Sequence, residues 1–208
     1  MASATRVVLF DLGGVLCRFD PRQRLHAIAL ATGLPEGRIE AEIWESGFDA
    51  ACERGEHSAR DTHPIFCERL GVSIGPHELA RLYAAAFRPD DAVLAFVDAL
   101  SPGLTRGLLT NNGVVLRESL PQLFPKLARR FTPNLFFSCD FGALKPAPRL
   151  FDLVLERLGR PLGAALLIDD SAANVQGAEA CGLPAIRFTG ATALRRELED
   201  RGLLSPQA

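Results

Sequence analysis

Five short segments of the chain are apolar almost throughout, without the alternation of polar and apolar residues that a half-exposed strand shows. Strands that are covered by helices on both faces have this continuous pattern. The pattern therefore predicts five buried strands of a parallel sheet, at residues 6–10, 105–109, 135–138, 164–168 and 184–188.

Segments with helical periodicity lie between these strands, and two of them end at a glycine that can terminate a helix, Gly159 and Gly182. The predicted helices cover residues 90–100, 114–120, 148–159 and 172–181. Alternation of strands and helices is typical of α/β proteins. We therefore expect a Rossmann-like, three-layer core built on a parallel five-stranded sheet.

One interval interrupts this alternation, because residues 17–88 contain no convincing strand. Helical periodicity continues through most of it, at residues 22–32, 35–48, 60–70 and 77–87. A crossover between parallel strands needs only about a dozen residues. The pattern therefore predicts a small all-helical subdomain at 17–88, inserted into an α/β core formed by residues 1–16 and 89–208.

Composition and charge exclude several classes of protein. The chain has 208 residues, with 23 Lys and Arg against 25 Asp and Glu, so it lacks the basic surplus of a non-specific nucleic-acid binder. Its longest apolar stretches are far shorter than the roughly 20 residues of a membrane-spanning helix, and no secretory signal pattern precedes the first strand. The five cysteines include no C-x-x-C pair. We therefore expect a cytoplasmic protein with reduced thiols and with no nucleic-acid or membrane partner.

Polar residues follow the predicted strands where each strand ends. Ligands of an open parallel sheet bind beyond the carboxyl ends of its strands, so these residues are expected to lie close together. In chain order they are Asp11, Thr110 with Asn111, Lys145 in the loop after the third strand, and Asp169 with Asp170.

This set of side chains suits phosphoryl transfer. Carboxylate oxygens of Asp11 and of the adjacent acidic pair are ligands that Mg²⁺ prefers, and a lysine supplies a point charge for phosphate. A carboxylate beside Mg²⁺ and a fixed phosphate can form an aspartyl-phosphate. Taken singly, Asp11 could be a turn former, Thr110 with Asn111 a helix start, and Lys145 a solvated surface lysine. Two adjacent carboxylates at the end of a buried strand are harder to explain without a cation.

The same residues, in the same order, resemble the four motifs of the haloacid dehalogenase superfamily. The motifs are Asp11-Leu12-Gly13-Gly14-Val15-Leu16, Thr110-Asn111, Lys145-Pro146, and Asp169-Asp170 with Asn174. The helical insertion resembles the C1-type cap of that superfamily, and its segment 52–56, which contains Glu53 and Arg54, resembles a cap loop that contacts substrate. The chain is similar to phosphatases of sugar phosphates such as α-D-glucose 1-phosphate, and to the N-terminal phosphatase domain of bifunctional epoxide hydrolases.

The resemblance implies a role for each matching residue. Asp11 would be the nucleophile and a Mg²⁺ ligand, with the Gly13 carbonyl as a second ligand. Asp170 would be a direct ligand, and Asp169 would lie close by or bind the metal through water. Thr110 and Asn111 would hold the phosphoryl oxygens, and Lys145 would stabilise charge on Asp11 and on phosphate. The implied substrate is a small phosphorylated metabolite, contacted by the cap residues Glu53 and Arg54.

Gly13 departs from the superfamily pattern, which places a second aspartate there as the general acid and base. Such catalysis is typically worth about 10²–10⁴-fold in rate. Three explanations stay open: the substrate has a good leaving group; another group replaces the aspartate; or the protein is weakly active or inactive and only binds its ligand. Candidate replacements are Asp20, Asp49, Glu53, His57 and water.

Two further alternatives share part of the site. A haloacid dehalogenase has the same fold and nucleophile but needs no Mg²⁺, so the acidic pair argues against it. A signalling receiver domain carries its acidic pair on the first strand, whereas here it follows the fourth. The sequence leaves open whether the chain is a monomer or a homodimer. It also leaves open which cap residues select the substrate, among Arg18, Arg22, Trp44, Phe48, Glu53 and Arg54.

Overall fold

The computed structural model describes residues 5–205. In chain order the strands are β1 Val7–Phe10, β2 Cys17–Phe19, β3 Phe87–Pro89, β4 Thr105–Thr110, β5 Leu135–Phe137, β6 Ala165–Asp169 and β7 Ala185–Arg187. Five of them form a parallel sheet in the order β5-β4-β1-β6-β7, and the two short strands β2 and β3 pair with each other in antiparallel fashion. The five strands predicted for the parallel sheet are confirmed, with ends that differ by at most one residue.

Helices cover both faces of the sheet and form the insertion. In chain order they are α1 Pro21–Thr32, α2 Glu36–Ile39, a π-helical segment Glu40–Glu45, α3 Phe48–Glu53, α4 Ala59–Leu70, α5 Pro76–Ala84, α6 Asp91–Ala99, α7 Val114–Leu123, α8 Pro125–Phe131, α9 Pro148–Arg157, α10 Ala172–Ala180 and α11 Ala191–Asp200. Single 3₁₀ turns occupy Ser138–Asp140 and Leu162–Ala164.

The continuous apolar strands are explained by two-sided burial. Val8 and Phe10 of β1 pack into a core with α6, α7, α8 and α11, whereas Val7 and Leu9 pack into a second core with α9 and α10. Successive side chains of a strand point to opposite faces, so both parities must be apolar. The α/β class and the three-layer arrangement are therefore confirmed.

Three helices were missed by periodicity. Helices α3 and α8 have only six and seven residues, which is too short for a periodic signal. In α11 two leucines one turn apart, Leu194 and Leu198, are the buried positions of an otherwise polar segment. These errors leave the order of the sheet unchanged.

The insertion is helical except at its two ends. Strands β2 and β3 pair Cys17 with Pro89 and Phe19 with Phe87, so the prediction of a strand-free interval was wrong at its boundaries. Each strand has three residues, too few to show a period-2 pattern in the sequence. Between them the helices enclose a core of their own around Ile28, Ile43 and Phe66. The division into a core and a cap at 17–88 stays a prediction.

No helix within residues 5–205 has the length and hydropathy that crossing a bilayer requires.

Candidate active site

The predicted site residues converge at the carboxyl edge of the sheet. Asp11 directly follows β1, Thr110 ends β4 and Asp169 ends β6, and these are the three central strands of the sheet. A cavity of about 410 Å³ opens above them. From the core it is lined, among others, by Asp11, Gly13, Thr110, Asn111, Lys145 and Asp170. Parallel strands bring their ends to one edge, so residues distant in sequence meet there.

Lys145 lies at the centre of the site and is buried. Its Nζ lies 2.8 Å from Oδ1 of Asp11 and 2.6 Å from Oδ2 of Asp169, and it donates to the carbonyl oxygen of Leu109 at 2.9 Å. Burial lowers the pKa of Lys145, but the two carboxylates outweigh it and leave the pKa above its ordinary value. The ammonium group is therefore charged and fixed beside Asp11.

Asp11 is the one carboxylate of this ion-pair group that faces the cavity. Burial raises its pKa to about 6, against the lowering effect of Lys145. The side chain keeps 12% of its surface exposed, whereas that of Asp169 is fully buried. An ionised, partly exposed carboxylate of this kind has the chemistry of a nucleophile.

Both carboxylate oxygens of Asp169 accept hydrogen bonds from other groups of the protein. One of its oxygens accepts from Lys145, and Oδ1 accepts from the backbone amide of Ser171 and from Nδ2 of Asn174, both at 2.9 Å. These bonds hold Asp169 as a support for Lys145. These bonds use three of the roughly four lone-pair positions of the carboxylate.

Asp170, the next residue, forms no ion pair and no hydrogen bond with another side chain among the described residues, and it is exposed and lines the cavity. One carboxylate oxygen from each of Asp11, Asp169 and Asp170 lies within 4.8 Å of the others. Burial raises the pKa of Asp170, and the neighbouring charge of Asp169 adds to the effect. Oxygen atoms this close together suit a small hard cation.

Gly14 makes room for this carboxylate. Its backbone has φ +81°, and a Cβ atom placed there would lie 2.2 Å from Oδ2 of Asp170. A side chain at this position would therefore displace the carboxylate and would also require a left-handed backbone. Gly14 belongs to the first motif, but this role was not predicted from the sequence.

The side chains of Asn111 and Asn112 form hydrogen bonds with Lys145 and Thr110, respectively. The amide of Asn111 forms two hydrogen bonds of 2.9 Å with the backbone of Lys145, donating to its carbonyl and accepting from its N–H. The amide of Asn112 donates to Oγ1 of Thr110 at 2.7 Å, which leaves the Thr110 hydroxyl hydrogen to point elsewhere. The Asn111 side chain thus positions Lys145, a function that its place in the sequence did not reveal.

The space beside Gly13 is filled by an aromatic pair. A Cβ atom on Gly13 would lie 3.3 Å from atoms of both Phe19 and Phe87. The two rings pack with centroids 5.0 Å apart and connect the paired strands β2 and β3 to the cavity. The site therefore presents hydrophobic surface at the place where a side chain of residue 13 would lie.

The insertion supplies a polar wall opposite Asp11, formed by Arg24, Trp44, Asp49 and Glu53. Asp49 accepts from Nε1 of Trp44 at 3.1 Å and lies 3.9 Å from Nη1 of Arg24. Burial raises the pKa of Glu53 to about 7, and the charge of Asp49 adds to the effect. Of these residues, Trp44 and Glu53 were predicted as possible substrate contacts and Asp49 only as a replacement acid, whereas Arg24 was not predicted.

Arg54 is placed differently from its neighbour Glu53. It is exposed and pairs with Glu56 at 2.5 Å, and it does not belong to the cavity lining. Arg18, Arg22 and Phe48 also lie outside that lining. A contact between Arg54 and substrate stays a prediction.

Ser138 was missed by sequence analysis and joins the insertion to the core. Its Oγ donates to the carbonyl oxygen of Glu53 at 2.7 Å and accepts from the backbone amide of Asn112 at 3.1 Å. Such a bond between residues 85 positions apart depends on tertiary contact. No local pattern in the sequence could have indicated it.

Comparison with known proteins relates this geometry to a family. A model of haloacid dehalogenase-like hydrolases matches residues 5–182. A phosphatase of Mycobacterium tuberculosis is 32% identical over 190 residues, covering 86% of this chain and 84% of that protein. D-ribitol-5-phosphate phosphatase of Bacteroides thetaiotaomicron is 22% identical over 197 residues, covering 92% and 95%.

Bifunctional epoxide hydrolase 2 of Rattus norvegicus is 26% identical over 231 residues, and this chain spans 99% of its own length but 40% of that protein. The fold also matches a crystal structure from Bacteroides thetaiotaomicron, a haloacid dehalogenase family enzyme in complex with magnesium and inorganic phosphate. The TM-score is 0.76 at 20% identity, covering 88% of this chain and 93% of the other. The family model spans all the strand-end residues described above, and the chain therefore belongs to the haloacid dehalogenase-like hydrolases.

Proposed function

We propose that this hydrolase is a Mg²⁺-dependent phosphatase that cleaves a small phosphorylated metabolite, such as a sugar phosphate, through a phosphorylated Asp11. The observation that carries the proposal is the 2.8 Å contact between Lys145 Nζ and Asp11 Oδ1 at the floor of the cavity. A charged lysine there can stabilise both the ionised nucleophile and an incoming phosphate. The phosphatase names of the relatives support the same reaction.

The acidic residues fit Mg²⁺. This cation prefers a few carboxylate oxygens and keeps the rest of its coordination for water and substrate phosphate. Asp11 and Asp170 face the cavity, and Gly14 leaves the space that Asp170 occupies. We assign Asp11, Asp170 and the Gly13 carbonyl as the ligands, with Asp169 acting through Lys145 or through water. When bound, Mg²⁺ would neutralise negative charge on the phosphoryl oxygens.

The remaining residues bind and orient the phosphoryl group. The Thr110 hydroxyl accepts from Asn112 and can donate its own hydrogen to a phosphoryl oxygen. Beyond Asn112 the chain enters α7 at Val114, and the start of a helix favours an anion. Asn111 contributes by holding the backbone of Lys145.

The reaction begins when an Asp11 carboxylate oxygen attacks phosphorus and the bond to the leaving oxygen breaks. Lys145 keeps Asp11 ionised and offsets charge that develops on the phosphoryl oxygens. Water then attacks phosphorus, the bond to Asp11 breaks, and inorganic phosphate leaves. Since Lys145 and Asp169 are held before substrate arrives, little reorganisation is needed during either step.

The proposed substrate class rests on the cavity. A volume of about 410 Å³ fits a small metabolite. Its outer wall presents carboxyl groups, an arginine and an indole, which suit a hydroxyl-rich compound better than an apolar one. The relative named for D-ribitol 5-phosphate, a sugar alcohol ester, supports this class.

Release of inorganic phosphate from a panel of phosphorylated metabolites, with Mg²⁺ and with EDTA, tests the proposal. We expect Mg²⁺-dependent release that Asp11→Asn abolishes, because the amide is a far poorer nucleophile. Asp152→Asn, the same change at an exposed position of α9, serves as the control. Release without a divalent cation, or full activity in Asp11→Asn, would contradict the proposed mechanism.

A further inference from the structure

Cleavage of a phosphate ester leaves an alkoxide, which needs a proton unless its alcohol is unusually acidic. The acidic groups of the sheet edge are poorly placed to give one. Asp11 becomes bonded to phosphorus, and Asp170 is assigned above as a Mg²⁺ ligand. Asp169 is buried and bonded to Lys145, Ser171 and Asn174. Gly13 has no side chain, and the space beside it is bounded by two phenylalanines.

The insertion brings two carboxyl groups to the same cavity, those of Asp49 and Glu53. Asp49 is occupied, since Trp44 donates to it and Arg24 lies beside it. Within residues 5–205 the Glu53 carboxyl group has no hydrogen bond or ion pair, and it faces the cavity half-buried. A group with no structural partner is available to the substrate.

The other candidates lie outside the cavity lining. Asp20 caps α1 by accepting from the backbone amide of Arg22 at 3.0 Å, and it is exposed. His57 packs against the ring of Phe48 with centroids 5.4 Å apart. Neither side chain is directed to the reacting atoms.

We propose that Glu53 is the catalytic proton donor of this enzyme and protonates the leaving oxygen of the substrate. The inference rests on the phosphatase function proposed above. As Asp11 forms its bond to phosphorus and the bond to the leaving oxygen breaks, the Glu53 carboxyl proton moves to that oxygen and an alcohol departs. When water later attacks the phosphorylated Asp11, the proton that it releases returns to Glu53, so the cycle closes with one water consumed.

The position of Glu53 is fixed by contacts with the core. Its carbonyl oxygen accepts from Ser138 Oγ at 2.7 Å. Two residues later, Gly55 approaches the core so closely that a Cβ atom would lie 2.2 Å from the carbonyl oxygen of Cys139. The end of α3 is thus anchored next to β5, which holds the Glu53 side chain over the cavity without using its carboxyl group.

The surroundings of Glu53 favour its protonated form. Its pKa is raised to about 7, mainly by burial and also by Asp49 on the same helix and Asp11 from the core, while Arg24 of α1 and the adjacent Arg54 act in the opposite direction. A donor whose pKa lies near neutrality is matched to its task. The pKa agrees with the role that the geometry assigns.

Single-turnover release of the leaving group tests this role, because it isolates the first bond-breaking step. Two esters are compared in Glu53→Gln: glycerol 2-phosphate, whose alcohol is weakly acidic, and p-nitrophenyl phosphate, whose phenolate departs without a proton. We expect a loss of about 100-fold for glycerol release and little change for nitrophenol release. Glu45→Gln, the same substitution at an exposed position of the insertion, should change neither rate.

Equal losses on both esters would assign Glu53 to binding or folding and overturn the inference, as would no loss on either. The unsubstituted protein gives a second test: glycerol release should fall above about pH 7 while nitrophenol release does not. A common pH profile for the two esters would also overturn it. Absence of Mg²⁺-dependent release from both esters in the unsubstituted protein would instead contradict the proposed function, and the inference with it.

Discussion

Lys145 Nζ lies 2.6 Å from Oδ2 of Asp169, and both side chains are almost completely buried. Lys145 lies between two carboxylates at the sheet edge, those of Asp11 and Asp169. Asp169 is fixed in turn by Ser171 and Asn174, so it acts as a rigid support. The support aims the ammonium group at Asp11, where the chemistry is proposed to occur.

Lys145→Met tests this support. Removal of the cation leaves the Asp169 carboxylate buried without its partner, and breaking a buried ion pair costs about 3–5 kcal/mol. Urea unfolding in EDTA should show a loss of this size, with activity abolished. Lys126→Met, a change at an exposed lysine, should alter the free energy of unfolding by less than about 0.5 kcal/mol. A similar stability for the two variants would show that the buried pair contributes nothing.

Gly14→Ala tests the space beside Asp170. The left-handed backbone should cost about 1–2 kcal/mol for any L-residue, and the new Cβ must also displace the Asp170 carboxylate. Gly33→Ala is the matched control, because φ is +71° there and no atom lies within 4 Å of the added Cβ. Thermal unfolding should show both variants destabilised, but only Gly14→Ala losing the stabilisation that Mg²⁺ gives. A full Mg²⁺ effect in Gly14→Ala would count against Asp170 as a ligand.

Gly13→Asp tests whether the aromatic pair occupies the place of the missing side chain. The added atoms meet Phe19 and Phe87, and overpacking costs about 1–3 kcal/mol. Phe19→Ala removes one of the two rings. The loss of unfolding free energy in the double variant should therefore be smaller than the sum of the two single losses by at least about 1 kcal/mol. Chemical denaturation of the four proteins measures this coupling, and simple additivity would contradict it.

The raised pKa of Glu53 predicts a pH dependence of stability. Because the folded state raises this pKa from 4.5 to about 7, folding favours the protonated carboxyl group. The stability that it contributes is present below the unfolded pKa and is lost as pH rises through the folded one. Glu53→Gln should therefore gain stability relative to the unsubstituted protein from about pH 5 to about pH 8. Urea unfolding across this pH range measures the difference in free energy of unfolding between Glu53→Gln and the unsubstituted protein, and a difference that does not change with pH would refute the pKa shift.

Sequence reasoning predicted the elements with the strongest signals. Apolar runs such as the one around Val8 and Phe10 are continuous because both faces of the sheet are covered, and this condition is local to each strand. Residues directly after the strands, such as Asp11 and Asp169, could be assigned to one edge from strand direction alone. Periodicity failed for β2, β3 and α3, whose lengths are too short for a repeat to be seen.

The partners of the site residues could not be predicted in the same way. The predicted contact between Asn111 and phosphate stays a prediction, but the sequence did not indicate that the Asn111 amide holds the backbone of Lys145, 34 residues away. Hydrogen bonds between side chain and backbone depend on orientation at the level of single atoms, which residue type does not determine. The same reason explains why Ser138 and Arg24 were missed.

By itself, the sequence determined the α/β core, the edge of the sheet that carries the polar residues, and the absence of a carboxylate at Gly13. Each depends on strand direction, hydrophobic pattern or residue identity, which are properties of the chain itself. Only the tertiary structure decided which carboxyl groups are free and which are already bonded. It packed Phe19 and Phe87 beside Gly13 and bonded Asp169 to Lys145. It also brought Glu53 from the insertion to the cavity, where its carboxyl group has no hydrogen bond or ion pair with any residue of 5–205. Availability of a group depends on every neighbour that folding brings to it, and those neighbours come from all parts of the chain.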